Sequence, residues 1–291
     1  MRGSIAATGA EFSGIGGNTS CLEVRVADAV IILDAGTGLA RLGQTWAPRT
    51  AATFFFSHLH WDHIQGFPFF RPAYVPGNRF TLYGPGDDGA AGLHASLDRQ
   101  MQPPNFPVTL SAMAARLDFR SIRAGDEVCV DAARIRAAAL NHPQGCLGYR
   151  ISVGSSTLVY ATDTEEVTPG AVNPAVLELA RNADLLIHDA QYTEDEYYGS
   201  TGPARRGWGH STITAACRLA RAAGVKQLAL FHHDPSHDDR LLERLRLEAR
   251  IIFANVVVAR EGMVVQLIES EAPESPDFAE RPVSRTRRAQ P

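Results

Sequence analysis

The chain of 291 residues holds only four cysteines, Cys21, Cys129, Cys146 and Cys217, and no two of them form a Cys-x-x-Cys pair. That spacing argues against a disulfide framework and against a thiolate zinc site, and it points to a reducing compartment. No apolar run approaches the roughly 20 residues needed to cross a bilayer, and the N-terminus has no apolar signal-type stretch. Neither membrane contact nor secretion is expected, and the cytoplasm is the expected location. Charge of one sign is scarce as well: 28 Lys and Arg against 32 Asp and Glu leave a net charge of −4. Such a chain has no overall field to attract a polyanion, so a small molecule is the expected partner and nucleic acid is disfavoured. Internal repeats are absent too.

What is present is a 45% apolar content, enough for one large core. One domain is read over residues 1–268. Residues 269–291 are rich in charge and proline, and this tail is expected to be disordered and dispensable for chemistry. Short β-branched and aliphatic runs fill the first half, among them "CLEVRV", "AVIILDAG", "TFFFSH", "RFTLYG", "EVCVDAARIRAAAL", "LGYRISV" and "TLVYATD". Helix–strand units follow in "NPAVLELARNADLLIHDA" and "STITAACRLARAAGVKQLALFHH", the second with Ser211 or Thr212 as helix cap and Gly224 as its stop. A last helix over about Asp239 to Ala249 precedes the expected strands "ANVVVA" and "MVVQLI". Many strands first and helix–strand units later predict an α/β (α+β) sandwich with helices covering sheets. The Pro- and Gly-rich segment from Phe67 to Pro107 is expected to be a lid or binding loop, with its aromatic residues forming a pocket wall.

Residues 57–66 read "SHLHWDHIQG" directly after the run "ATFFF". Alternate side chains of an extended segment share a face, so His58 and His60 can point at one place as the strand ends. Once the chain turns at Trp61, Asp62 and His63 can face a second ion close by, and paired ions sharing a water are a hydrolytic device. Imidazoles with carboxylates suit Zn2+ first, then Mn2+ or Fe2+. One loop cannot close two sites, and further ligand types stand where strands yield to polar loops: His142 in "LNHPQG", Asp163 in "YATDTE" and His232 in "LALFHHD". His237 and Asp238 read as surface loop residues.

The HxHxDH motif, followed by a single His, a single Asp and a final His at strand ends, resembles the metallo-β-lactamase superfamily over roughly residues 3 to 268. The resemblance implies an αββα sandwich and two divalent metal ions. His58, His60 and His142 would hold one ion, Asp62, His63 and His232 the other, and Asp163 would bridge them. It also prefers His232 over the adjacent His233, and matches Asp34 in "IILDAGTG" to an aspartate that supports the metal shell. Relatives usually carry one more strand before "RGS", here expected to be absent or reduced to Met1. The "GGNTSC" turn resembles the family's start, where the backbone of Gly16 and Gly17 could approach a ligand or simply turn tightly.

Two further stretches, "ADLLIHDAQY" and "GWGHST", resemble the phosphodiesterase branch that includes RNase Z and cyclic-nucleotide phosphodiesterases. There the histidine of "HST", here His210, contacts the scissile phosphate; Asp189 reads either as the residue that orients it or simply as a polar strand end. A His can donate to a phosphoryl oxygen and move a proton near neutral pH, and the helix that begins just after it adds favourable potential for an anion. The expected catalytic residues are thus Asp62 and His210. The expected reaction is hydrolysis of a small, cyclic nucleotide phosphodiester by a metal-bridging hydroxide. The projecting arm that long-armed RNase Z enzymes insert between His142 and Asp163 has no counterpart in "PQGCLGYRISVGSSTLVYAT". The alternatives are RNase Z-like tRNA 3′ cleavage, hydrolysis of a thioester, lactone or β-lactam, and a noncatalytic nucleotide-binding module. A homodimer is compatible with the sequence.

Overall fold

Runs such as Ala29–Leu33 and Leu228–Phe231 are apolar at successive positions because both faces of each strand are covered. The computed structural model describes residues 1–47, 50–86, 88–168 and 170–267, and the tail read as disordered lies outside them. One sheet takes β1 (Leu22–Val26), β2 (Ala29–Leu33), β3 (Ala51–Phe55), β4 (Arg79–Pro85) and β5 (Arg116–Ile122) in that spatial order. The other takes β6 (Glu127–Val130), β7 (Ala133–Leu140), β8 (Cys146–Val153), β9 (Ser156–Ala161), β10 (Leu185–Asp189), β11 (Gln227–Phe231) and β12 (Val256–Val258), likewise in sequence order. Strands β6 to β9 pair antiparallel, while β9 to β12 run parallel through helical crossovers.

Three apolar layers hold the two sheets and their helices together. Ile31, Leu33, Phe55 and Tyr83 of the first sheet meet Tyr149, Tyr160, Ile187 and Phe231 of the second. On the far side of the first sheet, Ile32, Phe54 and Leu82 pack under α1 (Gly38–Leu42), α2 (Trp61–Ile64) and α3 (Gly89–Gln100) through Leu39, Ile64, Leu93 and Leu97. On the far side of the second, Val159, Leu186 and Leu228 pack under α4 (Pro174–Ala180), α6 (Ile213–Ala222) and α7 (Asp239–Ile252), with the short α5 (Glu194–Tyr198) preceding α6 in the chain. The alternation of Phe54, Phe55 and Phe56 between an outer and the inner layer follows from the strand period of two. This is the expected αββα sandwich.

Several local expectations fail for physical reasons. Strand β5, "RLDFRSI", escapes the sequence reading because it is an edge strand whose charged residues alternate into solvent. The run "MVVQLI" forms no strand over Met263–Leu267; Val265 and Leu267 instead lie against the inner core. The segment from Phe67 to Pro107 is no single loop, since it contains β4 and the 12-residue α3. Three of its aromatic residues are core and wall no pocket: Phe67, Phe70 and Phe80 are buried around Phe54, with ring centroids 5.6 to 6.2 Å from it, whereas Phe69 is exposed and packs edge-on against Phe106 at 5.5 Å. Of the paired readings, the cap of α6 is Thr212, whose hydroxyl accepts from Ala215 N. The backbone of Gly17 approaches Ala7, for a Cβ there would lie 1.7 Å from the Ala7 carbonyl oxygen.

His237 is not a surface residue either. It is 1% exposed, with Nε2 at 2.8 Å from Glu196 Oε1, and Asp238 caps α7 by accepting from Leu241 N. Glu196 also closes the capping box of α5 with Thr193. Burial works to raise the Glu196 carboxyl, but hydrogen bonds from His237 and Thr193 outweigh it and lower the pKa to about 2. A depressed carboxyl stabilises the fold above its unfolded pKa, and that contribution fades as pH falls through the folded value. Glu196→Gln is therefore expected to lower stability by about 1 kcal/mol near neutral pH, the charge interaction being reduced by partial solvent screening. Urea midpoints of the two proteins should converge below pH 4.5; a gap that stays constant down to pH 3 would count against a charge effect.

Candidate metal centre

Strands β7, β9, β10 and β11 all end at one rim of the second sheet, and β3 ends opposite them at the rim of the first. His142, Asp163, Asp189 and His232 follow or close those strands of the second sheet, and His58 and His60 follow β3. His60 remains extended (φ −65°, ψ 153°) as the residue before α2, which carries Asp62 and His63 inward while Ile64 anchors its other face in the outer core. Gly66 lets this turn lie against the loop after β2, for a Cβ there would come 1.9 Å from Gly36 O. Asp34, Asp163 and His232 all adopt positive φ (60°, 51° and 58°), so the backbone is strained where these side chains converge.

The side chains form two adjoining groups, His58, His60 and His142 in one and Asp62, His63, Asp163 and His232 in the other. His60 Nδ1 lies 3.2 Å from His142 Nε2. His63 Nε2 and His232 Nε2 lie 3.3 Å apart, and Asp62 Oδ2 is 3.3 and 3.1 Å from them. Asp163 spans both groups: Oδ1 is 3.3 Å from His63 Nε2 and from His232 Nε2, while Oδ2 is 3.6 Å from His58 Nε2 and 3.8 Å from His142 Nε2.

The outer nitrogen of each imidazole is engaged, which decides where its lone pair goes. His63 Nδ1 donates to Asp34 Oδ2 (2.8 Å), His142 Nδ1 to Gly209 O (2.9 Å), His232 Nδ1 to Gln191 Oε1 (3.0 Å) and His60 Nε2 to Gln144 Oε1 (2.8 Å). Ser57 donates its hydroxyl to Asp34 and so accepts from His58 Nδ1 (3.1 Å). Five ring nitrogens are thereby aimed inward at two carboxylates, and among the described residues the buried His58 Nε2 has no hydrogen-bond partner. Imidazole nitrogens and carboxylates that converge in this way suit cations, and the two groups fit a dinuclear centre.

The charges say the same. Burial opposes a charged His63, yet Asp62, Asp163 and Asp34 outweigh it and hold the ring well above its ordinary pKa. Burial likewise works to raise Asp62, but His63 and His232 bring the carboxyl below the usual carboxylate range. Desolvation keeps His58, which also faces His63, well below the ordinary histidine value. The cluster thus attracts positive charge at one focus while preserving neutral imidazole at the other.

Beside both groups stands His210, its ring centroid 5.1 Å from that of His142 and 5.0 Å from that of His232. Its Nδ1 is 2.8 Å from Asp189 Oδ2, and burial, which disfavours the charged ring, is overcome by Asp189 to raise the pKa to about 9. Asp189, His210, Asp163 and His232 also have atoms close enough for a third ion, but Asp189 Oδ2 is taken by His210 and Oδ1 accepts from Gln191 N and Ser211 N.

The structure places His232, not His233, in the cluster; both His233 ring nitrogens are buried elsewhere, without hydrogen-bond partners among the described residues. Sequence reading missed Ser57, Gln144, Gln191 and Tyr160, whose hydroxyl donates to Asp34 (2.8 Å), and it missed the backbone N–H of Ser4, which donates to Asp62 Oδ2 (2.7 Å). None of them carries a motif, because amide and hydroxyl partners are chosen by position alone.

A four-layer sandwich with seven His and Asp side chains gathered at its strand ends defines a metal-dependent hydrolase. The model of the Beta-lactamase superfamily domain matches residues 30–233, and the chain belongs to that superfamily. It is 30% identical to a Ribonuclease Z of Streptococcus suis over 86% of this chain and 94% of that one. A Ribonuclease Z of Lactiplantibacillus plantarum is 26% identical, over 92% of this chain and 98% of that one. Among solved structures, the metallo-beta-lactamase fold protein YhfI from Bacillus subtilis aligns with a TM-score of 0.66 at 21% identity, covering 90% of this chain and 94% of that one, a likeness of fold.

Proposed function

We propose that this chain is a dinuclear phosphodiesterase, with Zn2+ as the preferred ion. The observation that carries the reading is His210, a donor held by Asp189 within ring contact of a residue from each ligand group. In this reading His58, His60 and His142 hold one ion, Asp62, His63 and His232 the other, and Asp163 bridges. Two divalent ions bound there would supply a water of lowered pKa and polarise a phosphoryl oxygen. Asp189 fixes His210 through Nδ1, which leaves Nε2 to donate to a phosphoryl or leaving oxygen. Gln191, Gln144, Ser57 and Asp34 keep the ligating rings from turning.

The sequence motifs favour a cyclic nucleotide first and RNase Z-like tRNA 3′ cleavage second. RNA is the better-supported substrate, because the similar Ribonuclease Z chains align with this one nearly end to end. One observation favours the smaller substrate: β8 and β9 join by a tight turn at Gly154–Ser155, so no arm projects between His142 and Asp163. The test is elemental analysis of protein purified without chelator, with rates on an RNA bearing a 3′ extension, cyclic mononucleotides and bis(p-nitrophenyl) phosphate. Two ions per chain and cleavage of the RNA are expected. Metal-loaded protein that hydrolyses none of the phosphodiesters would overturn the reading, and turnover of cyclic nucleotides alone would reverse the order of the two substrates.

A further inference from the structure

A cleft of about 750 Å³ is lined by His142 of the candidate metal centre together with Asn141, Glu165, Tyr197, Arg206 and Gly209. Its volume falls in the range of about 300–1,000 Å³ usual for small-ligand sites. The wall that carries Arg206 is built to hold its shape. Glu165 Oε1 accepts from Tyr197 OH (2.6 Å) and Gly207 N (2.8 Å), and Oε2 accepts from Gly209 N (2.9 Å), so one buried carboxylate pins the turn that leads to His210. Gly209 sits at φ +88° and so close to the centre that a Cβ would lie 2.2 Å from His142 Nδ1.

Charge in the cleft is unevenly compensated. Glu165 is satisfied by three donors, and Glu166 is paired with Arg218 (2.9 Å) and accepts from Gly170 N (2.7 Å). Neighbouring Arg205 is spent on Asp234 (2.5 Å) and on the face of Tyr192 (4.8 Å). Arg206 is exposed and, among the described residues, has no ion-pair partner. A guanidinium without a counter-ion, facing a cleft that begins at a ligand of the metal centre, is suited to a planar, bidentate grip on an oxyanion.

We propose that this cleft is a subsite for the phosphate adjacent to the scissile one, with Arg206 as its cation. The preferred ligand then carries two phosphates separated by one nucleoside, as an oligonucleotide does and a cyclic mononucleotide does not. The inference rests on the phosphodiesterase reading and narrows it.

The probe is a nucleoside 3′,5′-bisphosphate, compared with the corresponding 3′- and 5′-monophosphates. Calorimetry on metal-loaded protein gives affinities, and competition against bis(p-nitrophenyl) phosphate gives inhibition constants. The bisphosphate is expected to bind about tenfold more tightly than either monophosphate, the gain from one charge-assisted contact. Arg206→Ala should remove that advantage while metal content stays at the wild-type level, and Arg206→Lys should keep part of it. Equal affinities in the wild type, or an advantage that survives in Arg206→Ala, would overturn the subsite. Failure of the parent reading looks different: no hydrolysis of any phosphodiester and no competition by the monophosphates.

Discussion

Replacing Asp163 with Ala is expected to abolish turnover and to strip metal from the protein. Asp163 is the one side chain whose two oxygens face both ligand groups, at 3.3 Å on one side and 3.6 to 3.8 Å on the other. Without it, two cations would face each other with a single carboxylate, Asp62, left among the ligands, and their repulsion in a buried site would go largely uncompensated. The wild-type carboxyl is held well below the usual range: burial works against its charge, but His232, His63 and His58 outweigh it. It therefore offers a charged ligand near neutral pH. Elemental analysis of Asp163→Ala should find fewer than two ions per chain, with phosphodiester hydrolysis at background; a fully loaded, active variant would refute the bridging role. Asp62→Ala should behave similarly, since Asp62 supplies the second negative charge.

His210→Ala should have the next largest effect, with a different signature. Both ions should stay bound, because none of the seven proposed ligands is lost, while hydrolysis slows by about 10²- to 10⁴-fold, the usual range for a positioned proton donor. The Asp189 contact at 2.8 Å keeps the ring oriented and favours its protonated form. If His210 protonates the leaving oxygen, the loss on bis(p-nitrophenyl) phosphate should be smaller than on RNA, since p-nitrophenolate leaves without help. If it only binds phosphate, the two losses should match. Wild-type rates on every phosphodiester would remove His210 from the mechanism and leave the superfamily fold as the sole support for hydrolysis.

Most of the candidate centre was legible in the sequence because its ligands come in rare combinations at predictable places. Three histidines and an aspartate within six positions cannot be explained by strand or helix propensity. His142, Asp163 and His232 stand where apolar runs stop. The layered fold was legible for a related reason: residues such as Ile31, Ile32 and Leu33 are apolar on both faces, and Leu219 and Leu242 lie on helix faces of matching period. By contrast, Phe67, Phe70 and Phe80 read as part of a pocket wall and proved to be core. Composition cannot say whether a phenyl ring has another sheet face to cover it.

The amino-acid sequence by itself determined the ligand types, their order along the chain and the strand ends that present them, since these follow from local pattern and side-chain chemistry. Only the tertiary structure decided between His232 and His233, because adjacent residues of a chain leaving a strand point to opposite sides, and only one side faces Asp62 and Asp163. Tertiary structure alone also aimed the imidazole lone pairs, through Asp34, Gln144, Gln191, Ser57 and the Gly209 carbonyl. Among the described residues it left Arg206 without an ion-pair partner beside a cleft, while Glu165 and Glu166 found partners in Tyr197, Gly207, Gly209 and Arg218, 32 to 52 residues away in sequence. Hydrogen-bond partners and counter-charges are settled by distance in space, and long-range packing sets that distance.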